Sequence, residues 1–120
     1  MQDIDRLAAV IRDERPWGGF DRFTLNETST VKIIDVAPGQ RLSLQRHEHR
    51  DELWVALDAG CVFEVDGQRL EPEVGERILI RRGQAHRLSS SGPATRILEI
   101  AFGHFDEDDI ERLEDAYGRS

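Results

Sequence analysis

Cysteine is almost missing from this sequence: Cys61 stands alone among 120 residues. An internal disulfide is therefore excluded, and a reducing cytoplasmic setting is expected. Basic charge is scarce too. Lys32 is the only lysine, and 16 basic side chains face 24 acidic ones, a net charge of −8. That balance argues against nucleic acid or an anionic membrane as the main partner, while leaving room for a local basic pocket that takes a small anion. Long apolar runs are missing as well, and nothing approaches the ~18–20 residues that a membrane-crossing helix requires. The opening stretch MQDIDRLAAVIRDERPWGG is acidic and amphipathic, without the basic and apolar regions of a signal peptide. Repeats, low-complexity segments and linkers are also lacking. The expectation is one domain over residues 1–120, a size at which roughly two-thirds of the unfolded surface is buried.

What is present changes texture twice. Asp3 to Glu14 reads as a short helix, with Asp3 as cap and Ile4, Leu7, Ala8 and Ile11 on one face. Pro16 and Gly18-Gly19 stop it. From about residue 20 to 102, short strands alternate with turn residues: 20–25, 30–37, 41–48, 52–58, 61–66, 68–71, 77–81, 85–89 and 95–102. Asp66-Gly67 between Val65 and Gln68 is the strongest hairpin signal. Residues 106–117 return to helical spacing through Ile110, Leu113 and Tyr117, with an acidic first turn and Gly118 as a stop. The fold class expected is all-β, a sandwich or small barrel between two terminal helices.

The chemistry concentrates in Gly39-Gln-Arg-Leu-Ser-Leu-Gln-Arg-His-Glu-His-Arg-Asp-Glu52-Leu-Trp54. On a strand over 41–48, Arg41, Ser43, Gln45, His47 and His49 share one face, while Leu42 and Leu44 face the other way. His47 and His49 can reach one ion, Glu52 follows a short bend, and His86 stands on a later strand. Three imidazoles and a carboxylate suit a divalent first-row metal with positions open to substrate.

This spacing resembles the cupin superfamily. Gly39, His47, His49, Glu52 and Gly60 match its first motif; Gly75, Gly83 and His86 match its second. Ala59, Arg81 and Ser90 depart from the pattern at turns. A closer resemblance runs from Arg15 to Arg119. Arg15-Pro16-Trp17-Gly18, Pro38 to Gln45, His47-x-His49-Arg50-x-Glu52-x-Trp54, His86-Arg87-Leu88 and Asp108-Asp109-Ile110…Tyr117-Gly118-Arg119 look like type II phosphomannose isomerase. The resemblance implies a cupin (jelly-roll) barrel, one divalent metal ion per chain (Zn, Mn, Fe, Ni or Co), and interconversion of mannose 6-phosphate and fructose 6-phosphate. In that family a GDP-mannose pyrophosphorylase domain often precedes the cupin. Neither such a domain nor a glycine-rich phosphate loop is found in these residues, so no pyrophosphorylase activity is expected of them.

The metal ligands expected are His47, His49, Glu52 and His86, with Gln45 as a competing ligand or a partner for sugar hydroxyls. Glu99 interrupts an apolar strand and is the nominated base, since desolvation raises a carboxyl pKa. Its alternative role is an ion pair with Lys32, which itself serves either the reaction, by holding phosphate, or a solvated outer face. Arg15 and Arg50 are further substrate-binding positions, because arginine suits bidentate phosphate binding. Trp54 shares the face of Glu52 and is expected to wall the cavity, while Arg87 points opposite to His86. A homodimer is expected, with Leu42 and Leu44 among the apolar positions it covers. Two other function classes carry the same ligand set: a cupin dioxygenase, and a non-catalytic metal- or sugar-binding cupin.

Overall fold

The computed structural model describes residues 6–115. The chain forms eleven strands: β1 (Ile11–Arg15), β2 (Gly18–Arg22), β3 (Ser29–Val36), β4 (Leu44–Arg46), β5 (Glu52–Ala56), β6 (Cys61–Val65), β7 (Gln68–Leu70), β8 (Arg77–Ile80), β9 (His86–Ser90), β10 (Thr95–Phe102) and β11 (Glu111–Glu114). All pair antiparallel. One sheet runs β3-β10-β5-β8, the facing sheet runs β11-β4-β9-β6-β7, and β1-β2 is a separate hairpin. The all-β expectation holds. The Asp66-Gly67 turn joins β6 to β7 with both residues at positive φ (49° and 81°), the requirement of a type I′ hairpin.

Neither expected terminal helix is found among the described residues. Asp3 and Ile4 lie outside them; Leu7 and Ala8 belong to a turn, and Ile11 opens a strand. A helix this short is marginal without a core to bury its face, whereas the run Arg12-Asp-Glu-Arg15 alternates charge with period two. Arg12 pairs with Glu14 at 2.9 Å and Asp13 with Arg15 at 2.9 Å. At the other end Asp106 closes a turn, accepting the Asp108 amide on its side chain (2.9 Å) and the Asp109 amide on its carbonyl (3.1 Å). Asp side chains that capture nearby amides compete with a helix, and β11 instead completes the sheet beside β4. Tyr117, Gly118 and Arg119 lie outside the described residues.

The core sits between the sheets, where Trp54, Phe63, Ile80, Leu88, Ile97 and Val36 pack together. Trp54 meets the Phe63 ring edge-on at 5.3 Å. A second cluster of Leu53, Ile100 and Phe102 covers the outer face of the first sheet under Val10 and Phe23. β5 is thus buried on both faces. The strand expected over 41–48 is shorter, with only an isolated bridge from Arg41 to Ser89 before Leu44. That break shifts the alternation by one residue. Leu42 turns inward, packing against the core and lining the same cavity as Gln45 and His47. It is therefore no part of an outer apolar face.

Candidate metal and active site

A cavity of about 620 Å³ lies between the sheets, lined by all members of two rows of cross-strand neighbours except His86, which is fully buried. On the first sheet Trp54 stands opposite Glu99, and Glu99 opposite Lys32. On the second, His86 stands opposite Gln45, and Gln45 opposite Arg112. Each row runs from a central strand (β5 or β9) through β10 or β4 to an edge (β3 or β11).

At the inner end, His47, Glu52 and His86 are all buried, and their ligand atoms lie within 4.8 Å of one another. His47 Nε2 is 3.4 Å from one Glu52 oxygen, and His86 Nε2 is 3.7 Å from the other. Nδ1 of His47 meets the Asp109 carbonyl at 2.6 Å, and Nδ1 of His86 meets the Gln84 carbonyl at 2.9 Å. A carbonyl only accepts, so each ring carries its proton on Nδ1 and turns the Nε2 lone pair inward. Burial, opposed by Glu52, pushes both imidazoles below the usual histidine range.

The loop that presents His47 is built locally. Gly83, at φ 84°, donates its amide to the His47 carbonyl at 2.7 Å. Arg81 stands where the cupin pattern has proline, and its amide goes to Gln84 Oε1 at 2.8 Å. Ser90, at another departure, accepts from the Gly39 and Gly92 amides at 3.3 and 3.0 Å. The turns at Arg81 and Ser90 are thus kept through side-chain hydrogen bonds. Asp109 clamps the same loop from outside, accepting the Glu48 amide on Oδ1 (2.9 Å) and the His49 amide on Oδ2 (3.0 Å). Burial raises the Asp109 pKa, but the two amides outweigh it and hold the carboxyl below its usual range.

Three sequence-predicted ligands are therefore brought together, and His49 is not. It is exposed in a separate depression with Arg46, Glu48 and Asp106. The Asp109 clamp on its amide ends the alternation that would have turned it inward. Gln45 does line the cavity, with Oε1 accepting from Ser43 Oγ at 3.2 Å. Trp54 walls it as expected, donating Nε1 to Glu52 Oε1 at 3.3 Å and meeting His86 edge-on at 5.5 Å.

Arg50 is buried beside the cluster. Its Nε donates to Glu52 Oε2 at 2.9 Å, Nη2 to His47 Nε2 at 3.2 Å and Nη1 to the Asp106 carbonyl at 3.1 Å. The Phe105 ring meets both Arg50 and Lys32, with their cationic groups 4.4 and 4.1 Å from its centroid. Arg15 is elsewhere, exposed on the β1-β2 hairpin and paired with Asp13. Arg87 is tied to the Leu42 carbonyl at 3.0 Å, a packing role. Glu99 is buried, and its pKa is pushed up to about 7, first by burial and then by Glu52, against Lys32, Arg50 and Trp54. Asp109, Phe105 and Arg112 escaped the sequence reading. All three sit on a segment read there as, or just before, a helix.

The donor set fits a divalent metal. His86 Nε2 is buried without a hydrogen-bond partner, as an atom awaiting a ligand would be. Ligand atoms ~2.1 Å from a tetrahedral ion stand ~3.4 Å apart, close to the 3.4 and 3.7 Å seen here.

The family model of the mannose-6-phosphate isomerase C-terminal domain matches residues 3–115. The alginate biosynthesis protein AlgA of Pseudomonas aeruginosa is 39% identical over 108 residues, covering 88% of this chain and 22% of that protein. The mannose-1-phosphate guanylyltransferase ManC of Salmonella typhimurium is 37% identical over 133 residues, covering 99% of this chain and 28% of its own length. The chain thus spans about a quarter of these curated relatives. Among solved structures, the capsular polysaccharide assembling protein CapF of Staphylococcus aureus superposes with a TM-score of 0.62 at 19% identity, over 88% of this chain and 32% of that one. A Klebsiella pneumoniae protein with a double-stranded β-helix domain gives 0.63 at 20% identity, over 78% and 84%. Likeness at this level shows the fold, the double-stranded β-helix of cupins.

Proposed function

Since this chain belongs to the mannose-6-phosphate isomerase C-terminal family, we propose that it is a metal-dependent aldose–ketose isomerase interconverting mannose 6-phosphate and fructose 6-phosphate. One observation carries the reading: a buried carboxyl, Glu99, lines the same cavity as the His47–Glu52 part of the ligand cluster. His47, Glu52 and His86 would hold the ion, with Gln45 available as a fourth donor. When bound, the ion polarises the sugar carbonyl and the neighbouring hydroxyl.

Glu99 performs the proton transfer. Its carboxylate takes the proton from the carbon beside the carbonyl as the C–H electron pair becomes the enediol double bond. The carbonyl π pair goes to its oxygen, which takes a proton; the same carboxyl then returns the carbon-bound proton to the adjacent carbon as the neighbouring hydroxyl loses its own proton and becomes the new carbonyl. The hydroxyl proton thus passes from one oxygen to the other, and aldose and ketose are exchanged. A pKa of about 7 leaves Glu99 able to accept and donate at neutral pH, the condition under which a positioned base contributes ~10²–10⁴ in rate. Lys32, across the strand pair from Glu99, favours the charged form. Gln45 offers hydrogen bonds to sugar hydroxyls, with its side chain steadied by Ser43. Metal-replete protein should convert mannose 6-phosphate to fructose 6-phosphate in a coupled assay. Chelation should stop turnover, and added metal should restore it.

Arg50 favours a second reading, a non-catalytic binder of sugar phosphates. Its guanidinium already engages Glu52 and His47 as a built-in cation. Elemental analysis of protein purified without a histidine tag separates the two: a metal-free protein that binds but does not turn over sugar phosphate supports the second.

A further inference from the structure

We infer that Arg112 and Lys32 form the phosphate subsite, so that the substrate lies across the strands with its phosphate at the open edge and its carbonyl end at Glu99 and the ligand cluster. The inference rests on the isomerase reading only in taking the ligand to be a sugar phosphate. The two rows of cross-strand neighbours carry it. On one sheet, Trp54–Glu99–Lys32 runs from β5 to the edge strand β3; on the other, His86–Gln45–Arg112 runs from β9 to the edge strand β11. Both rows therefore order the same chemistry: metal-ligand strand first, then a proton-transfer or hydroxyl-binding group, then a cation. Lys32, Gln45, Glu99 and Arg112 all line one cavity.

The spacing fits a hexose 6-phosphate. Adjacent strands lie ~4.8 Å apart, so the strand of each cation stands about 10 Å from that of its row's inner residue and about 5 Å from that of Glu99 or Gln45. An extended hexose 6-phosphate covers about 8–9 Å from its carbonyl end to phosphorus, at ~1.5 Å per bond and tetrahedral angles. Arg50, the third cation of the cavity, holds Glu52 and His47 and so belongs to the ligand cluster at the carbonyl end. Phe105 covers one side of the Lys32 ammonium at 4.1 Å, and an ammonium has three donors to direct elsewhere. Glu107 and Asp108 also line the cavity, so the two cations must outweigh their charge for a phosphate to be held.

Fructose 6-phosphate and fructose 1-phosphate make the test, because they share charge and composition and differ chiefly in the distance from carbonyl to phosphate. Titration calorimetry is run on chelated wild-type protein, so the readout does not depend on a loaded ion. Wild type should bind fructose 6-phosphate at least tenfold more tightly than fructose 1-phosphate. Arg112→Gln should lose tenfold or more for fructose 6-phosphate and most of the preference, and Arg112→Lys should recover part of it. Lys32→Gln, at an exposed position, should act in the same direction and serves where Arg112→Gln fails to fold. Arg46→Gln is the control, since Arg46 pairs with Glu111 outside this cavity; it should change neither affinity.

No measurable binding of fructose 6-phosphate by wild type would overturn the subsite. So would full affinity in Arg112→Gln, or an equal loss in Arg46→Gln. Failure of this inference and failure of the isomerase reading are distinguishable. Arg112-dependent binding without turnover leaves the subsite standing alone, whereas turnover with an unchanged KM in Arg112→Gln leaves the isomerase and removes the subsite.

Discussion

Replacing Glu99 with glutamine separates a catalytic carboxyl from a structural ion pair, and the two roles predict opposite signs. Glu99 is raised from an ordinary 4.5 to about 7, so the folded protein holds its proton more tightly than the unfolded chain. The resulting cost to stability is absent below about pH 4.5, grows as the pH climbs, and is complete above about 7. A difference of this size corresponds to about 3 kcal/mol. Glutamine keeps the shape and never ionises, so Glu99→Gln should be the more stable protein at pH 8 by up to about 3 kcal/mol, with the gap closing towards pH 4.5. The lost attraction to Lys32 is small, because that lysine is exposed and such pairs contribute ~0–1 kcal/mol. His47 and His86 are lowered, so their contribution falls as the pH drops below the ordinary histidine range of ~6.5; being common to both proteins, it cancels in the difference. Urea denaturation of chelated protein at several pH values measures the gap, and turnover per folded molecule should fall ~10²-fold or more. Lower stability of the variant at pH 8, with turnover intact, would refute the assignment and leave Glu99 as a partner of Lys32.

His86→Ala should remove stoichiometric metal binding while His49→Ala retains it, by elemental analysis; in wild type, half-occupancy should persist to lower pH than free imidazole ligands allow, since both ring pKa values are depressed. Asp109→Asn should weaken metal binding ~10–100-fold in competition titrations, because an amide offers one acceptor to the two backbone N–H groups held at 2.9 and 3.0 Å. We propose that a second copy of the chain covers the outer face of edge strand β3, where Val31 and Ile33 are each 57% exposed. Light scattering should give a dimer, and Val31→Glu with Ile33→Glu should give a monomer.

Most strands were legible because they combine β-branched alternation with turn residues of fixed chemistry, as at Asp66-Gly67. The termini were not, for a physical reason. Helical spacing of a few apolar residues, such as Leu7 and Ile11 or Ile110 and Leu113, decides little when no core receives that face, and strand pairing partners elsewhere in the chain then decide. The charge alternation of Arg12 to Arg15 was the available local signal for a strand. At the site, His47, Glu52 and His86 could be picked out because their residue types and spacing carry the chemistry. His49 could not be judged from alternation, because the clamp that diverts it comes from Asp109, sixty residues away. Arg112 was hidden by the helical reading of its segment; as a strand, that segment places it beside Gln45.

The most direct test of the central claim is conversion of mannose 6-phosphate by this protein, first stripped with chelator and then reloaded with one equivalent of zinc, manganese, iron, nickel or cobalt. Stripped protein should show no turnover, at least one of these ions should restore it, and none should restore it in His86→Ala. Turnover that persists in the stripped protein, or none with any ion despite stoichiometric loading, would contradict that claim.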